Sequence, residues 1–135
     1  AQLSEMRRKQ GVNNMAKIVI VENDRDIAPL VEKLLELEGH KPILVADPLR
    51  AVDTVVREKP DLVYLDVRLV PQMDGFMVLR QIRSKMQVPV LMCSGLDVEL
   101  KCLAAGANAF LLKPFDFQDL IEAVKRALKG KGVNQ

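Results

Sequence analysis

Five short apolar runs constrain this chain more than any other feature: Ile18 to Val21, Ile43 to Val45, Leu62 to Leu65, Val90 to Met92 and Phe110 to Leu112. Each is continuous rather than alternating in polarity. A strand that faces water on one side alternates, whereas one covered on both faces does not, so these runs read as strands of a buried parallel sheet. Between them lie patterns of helical period. Ile27, Leu30, Val31, Leu34 and Leu35 share one helical face, as do Leu120, Ile121, Val124 and Leu128. Weaker stripes run from Leu49 to Val56 and from Phe76 to Met86, and a short fourth helix is expected near Asp97 to Ala105. Strict alternation of strand and helix with right-handed crossovers predicts an α/β doubly wound parallel sheet with helices on both faces.

Local signals place the ends of these elements. Asp47 before Pro48, and Asp116 with Asp119 three residues on, mark helix starts, while Gly39 stops the first helix. With 135 residues and 49% of them apolar, the chain suffices for one core. We expect one domain over residues 15–130, a flexible tail or tag over 1–14 and a C-terminal tail over 131–135. Arg7, Arg8 and Lys9 read as solvated charges of that first tail.

Composition removes several classes of function. Twenty basic and eighteen acidic residues leave a net charge of +2, which commits the chain to neither nucleic acid nor a membrane surface. No apolar stretch approaches the ~20 residues of a membrane span, and nothing resembles a secretory signal, so a cytoplasmic location is expected. Cys93 and Cys102 lack the spacing of a redox or metal pair and read as reduced packing residues. His40 reads as a lone, exposed turn histidine, and Met77, Met86 and Met92 read as packing.

The residues that leave the strands are polar: Glu22 and Asn23, Asp66, Ser94 and Lys113. Taken singly, each is ordinary turn or cap chemistry. Together, on the rim where sites form in doubly wound sheets, they supply a carboxylate nucleophile, oxygen donors for a hard cation, a hydroxyl and a fixed positive charge. Those are the parts of a phosphoryl-transfer site.

Five segments in order resemble the receiver domain of bacterial two-component response regulators, over residues 16 to 129: Lys-Ile-Val-Ile-Val-Glu-Asn-Asp at 17–24, Asp-Leu-Val-Tyr-Leu-Asp at 61–66, Met-Asp-Gly at 73–75, Pro-Val-Leu-Met-Cys-Ser at 89–94 and Gly-Ala-Asn-Ala-Phe-Leu-Leu-Lys-Pro-Phe at 106–115. The resemblance implies a flavodoxin-like sheet in the order 2-1-3-4-5 and a phosphorelay switch rather than an enzyme. It makes Asp66 the phosphoacceptor, with Mg²⁺ held by Glu22, Asn23, Asp66 and the backbone carbonyl of Arg68. Lys113 and Ser94 would contact the phosphoryl oxygens, and Ser94 and Phe110 would act as switch residues, with Phe110 equally readable as a core aromatic. The Lys113–Pro114 bond is expected to be cis. The implied partners are a sensor histidine kinase or phosphotransfer protein and an output surface or homodimer, with no direct nucleic acid and no membrane.

The chain departs from that family at three places. Asn23 stands where a second acid is usual, Asp66 to Gly75 is about one residue longer, and Ser94 to Gly106 is about three shorter. These departures motivate an alternative: a phosphorylation-independent interaction module of the same fold. Asp24 reads as a helix cap rather than a replacement ligand. An aspartyl phosphatase is disfavoured by Arg68, which occupies the place of its acid–base aspartate. A dinucleotide site is excluded because no glycine lies in the turn from Glu22 to Asp26.

Overall fold

The computed structural model describes residues 15–133; the expected tail over 1–14, with Arg7, Arg8 and Lys9, and residues 134–135 lie outside them. The strands are β1 (Lys17–Val21), β2 (Lys41–Leu44), β3 (Leu62–Asp66), β4 (Val90–Ser94) and β5 (Ala109–Leu112). The helices are α1 (Ile27–Leu37), α2 (Ala51–Glu58, entered through a 3₁₀ turn Pro48–Arg50), α3 (Gly75–Arg83), α4 (Glu99–Ala104) and α5 (Phe117–Val133). All strand pairs are parallel, in the order β2-β1-β3-β4-β5.

Strand alternation divides the core into two layers. Val19, Val63, Leu65, Val90 and Met92 face α2, α3 and α4, packing with Val55, Val78, Leu79, Ile82 and Cys102. Ile18, Ile20, Leu62, Tyr64, Leu91 and Cys93 face α1 and α5, packing with Val31, Leu35, Leu120 and Val124. Both layers exclude water from β1, β3 and β4, which is why those strands read as unbroken apolar runs. Pro42, which cannot donate to a ladder, sits on the edge strand β2.

The expected end signals are at work. Gly39 adopts φ 96, and His40 N–H donates to the Leu35 carbonyl at 3.0 Å, closing α1. Asp47 Oδ1 accepts from Leu49 N–H, and Asp116 and Asp119 each accept the other's backbone N–H. Lys113–Pro114 is cis. The last helix runs to Val133, beyond residue 131 where a tail is expected from sequence, because each residue added to a formed helix gains one backbone bond.

Three expectations are corrected. Leu30, assigned to the inner face of α1, is exposed, as are Leu49 and Val56; the buried stripe of α2 is instead Ala51, Val52 and Val55. Met77 is also substantially exposed. His40 is buried, because the left-handed Gly39 turns it beneath β1, where its Nδ1 accepts the Ala16 N–H at 3.2 Å.

Candidate functional site

Parallel pairing puts every strand's carboxyl end on one rim. The registers Val21↔Leu65, Asp66↔Cys93 and Ser94↔Leu112 align the residues that follow β1, end β3 and β4, and follow β5. Strand order reverses between β1 and β3, and the crevice there receives Asp66. The structure thus brings Glu22, Asn23, Asp66, Arg68, Ser94 and Lys113 together.

Asp66, Asn23, Asp24, Arg68, Ser94, Gly95, Leu96 and Lys113 line a cavity of about 460 Å³. Lys113 Nζ bridges two carboxylates, 2.8 Å from Glu22 Oε1 and 3.1 Å from Asp66 Oδ2. The Glu22 side chain has no exposed surface and lies beneath the cavity rather than along its wall. Its Oε1 also accepts from the Tyr64 hydroxyl at 2.9 Å, and its Oε2 from Asp24 N–H at 3.1 Å.

Two buried carboxylates facing one ammonium leave an excess of negative charge. Burial, followed by the neighbouring Glu22 carboxylate, pushes the Asp66 carboxyl up to about 7, against the pull of Lys113. Burial also acts to raise Glu22, but its hydrogen bonds with Asp66, Lys113 and Asp24 N–H offset this and hold it below the ordinary glutamate value. For Lys113, burial is outweighed by the Glu22 and Asp66 carboxylates, which raise its pKa and keep the ammonium charged.

The backbone after β3 is held closely. Arg68 N–H donates to Asp66 Oδ1 at 3.3 Å, and Gly75 N–H donates to the Val67 carbonyl at 2.7 Å. A Cβ on Gly75 would come within 2.2 Å of the Asp66 carbonyl oxygen, so only glycine lets α3 start this near the carboxylate. Asp74 caps α3 by accepting from Met77 N–H. Paired bonds between Val70 and Met73 close the longer loop into a tight turn around Pro71 and Gln72.

Ser94 Oγ accepts from Leu96 N–H at 3.1 Å, tying down the loop that leaves β4. Phe110 is buried in the α2–α4 side of the core. The short α4 leaves Leu96, Leu100 and Leu103 exposed.

The donor set fits a hard divalent cation. Asp66, Asn23 and Arg68 line the cavity together, so carboxylate, amide and main-chain oxygens are close at hand for such an ion. Among the described residues no three His, Cys, Asp or Glu side chains converge on a common point, so a cation here would also draw on amide and carbonyl oxygens.

Sequence reasoning missed two participants. Asp24 does cap the turn, accepting from Asp26 and Ile27 N–H, yet it also walls the cavity. Tyr64 reads as one more apolar strand residue; its signal was a hydroxyl two positions before Asp66, on the same face of β3.

Comparison with known proteins agrees with this geometry. Residues 18–125 match the family model of the response regulator receiver domain. NtrX of Brucella abortus in complex with ADP superposes with TM-score 0.81 at 30% identity, covering 89% of this chain and 28% of that one. The chemotaxis response regulator CheY4 of Vibrio cholerae gives 0.77 at 27% identity, over 84% of this chain and 98% of that one. The BeF3-activated N-terminal receiver domain of RstA from Klebsiella pneumoniae gives 0.76 at 30% identity, over 84% and 98%. The chain spans less than a third of the length of NtrX. With the strand order, the rim site and the family match in agreement, the chain belongs to the response regulator receiver domains of two-component systems.

Proposed function

We propose that this receiver domain is a phosphoacceptor switch in which Asp66 takes a phosphoryl group from a phosphohistidine of a sensor kinase or phosphotransfer protein, or from an acyl phosphate. The observation that carries the reading is the Lys113 ammonium set between Glu22 and Asp66 on an open cavity at the strand ends. One Asp66 carboxylate oxygen forms the new bond to phosphorus as the bond from phosphorus to the donor breaks, and a departing imidazole keeps the electron pair and takes up a proton.

Mg²⁺ held by Asp66, Asn23 and the Arg68 carbonyl, with Glu22 acting through water, would screen the anionic nucleophile from the anionic phosphoryl group. Lys113 moves from Asp66 onto a phosphoryl oxygen while Glu22 keeps its other side. Ser94 lines the same cavity and would donate a hydrogen bond from its hydroxyl to another phosphoryl oxygen, drawing the loop at Gly95 and Leu96 toward Asp66. That movement biases the two conformations of the output face.

Asn23 favours a second reading, a phosphorylation-independent interaction module, because it removes one anionic ligand from the cavity. One experiment separates the two. Incubation with acetyl phosphate or beryllofluoride and Mg²⁺ is expected to add a phosphoryl mass or shift amide resonances around Asp66, and Asp66→Ala is expected to abolish both. No response in the native protein would leave the second reading standing.

A further inference from the structure

Tyr64 is fully buried on β3, paired in register with Ile20 of β1 and Leu91 of β4. Glu22 lies one pleat beyond Ile20 on the same face. Two residues of strand rise by about 6.6 Å, close to the reach of a tyrosine from its backbone to its hydroxyl, so this side chain is long enough to place a donor under the rim. Its hydroxyl lies 2.9 Å from Glu22 Oε1. Three donors therefore hold Glu22: the Tyr64 hydroxyl and Lys113 Nζ on Oε1, and Asp24 N–H on Oε2.

We propose that Tyr64 is a positioning residue of the phosphoacceptor site, whose hydroxyl clamps Glu22 against Lys113. Held there, Glu22 serves as the counter-charge of Lys113 and stays out of the cavity that Asn23, Asp24 and Asp66 line. The inference rests on the phosphoacceptor reading and adds to it a division of labour between the two carboxylates. Removing the hydroxyl frees Glu22 to turn toward the cavity and strips its charge of one hydrogen bond. Both effects strengthen the pull on a divalent cation.

Tyr64→Phe removes one oxygen and keeps the ring that fills the core. In a Mg²⁺ titration of the full chain followed by backbone amide shifts, this variant should reach half-saturation at a lower concentration than the native chain. The difference should vanish when Glu22→Gln is added to both backgrounds. An unchanged or higher half-saturation, or a difference that survives Glu22→Gln, overturns the proposal.

A second measurement leaves the core intact. The chain contains one tyrosine and no tryptophan, so its ultraviolet emission comes from Tyr64 alone. A carboxylate acceptor quenches tyrosine, and Glu22→Gln should raise that emission without any metal present. Unaltered emission overturns the clamp. Absence of any Mg²⁺ response in the native protein, with the emission rise intact, overturns the cation-dependent phosphoacceptor reading and not the Tyr64–Glu22 bond.

Discussion

The two rims of the sheet both hold polar groups among apolar neighbours, but they settle their charges differently. At the amino ends of the strands several donors meet fixed acceptors. Arg83 of α3 donates to the carbonyls of Gly106 and Val88 and to Asn108 Oδ1, which also accepts from Val90 N–H. Lys17 N–H donates to Asp61 Oδ2, and Ala16 N–H to His40. At the carboxyl ends, Glu22 and Asp66 compete for Lys113. The first rim is closed by its own backbone and needs nothing from outside. The second sets two buried carboxylates against one ammonium, so neither carboxylate has Lys113 to itself.

Breaking the closed rim should have the largest effect. Arg83→Ala removes the side-chain donors to the Gly106 and Val88 carbonyls, and is expected to lower stability by about 2 kcal/mol in denaturant unfolding. Phosphoryl labelling per folded molecule should not change. A loss of labelling instead would show that the rims are coupled.

Rebalancing the open rim comes next. Asn23→Asp adds a carboxylate to the cavity wall and should tighten Mg²⁺ binding by about tenfold in the same amide-shift titration. Unchanged affinity would mean that Asn23 does not face the cation.

The smallest effect is a pair of opposed pH slopes, measured by unfolding with metal chelated. Asp66 titrates near 7 in the fold against an ordinary 3.8, so the folded state holds a proton that the unfolded chain has released. Stability from this group therefore falls as pH rises toward 7. Burial lowers His40 below its ordinary 6.5, against the opposing pull of Glu38, so the unfolded chain takes up its proton first. Stability from this group is present above 6.5 and falls as pH drops below it. Asp66→Asn should unmask the His40 slope and gain about 1 kcal/mol at neutral pH. His40→Asn, which keeps an acceptor for Ala16 N–H, should unmask the Asp66 slope. Parallel slopes in the two variants would remove the contrast between the rims.

Much of the site was legible because parallel strands deliver their C-terminal residues to one place. Once Leu62 to Leu65 is read as a covered strand, Asp66 must lie on the rim, and Glu22, Ser94 and Lys113 follow by the same step. The reading failed where a side chain's role depended on distant neighbours. His40 and Gly39 looked like turn residues, but the turn carries the imidazole under β1. Leu30 fitted a helical stripe, yet α1 meets the sheet with Val31 and Leu35 and leaves Leu30 in water.

By itself the sequence determined the element order, the parallel sheet, its covered faces and the set of residues on the rim, because these follow from periodicity and connection rules that act locally along the chain. Tertiary structure alone decided how Glu22 and Asp66 divide the site. That depends on Tyr64 reaching from β3 to a residue 42 positions earlier, and on Lys113 reaching Asp66 from 47 positions later. Distances and burial between such residues set their charges, and no local pattern carries them.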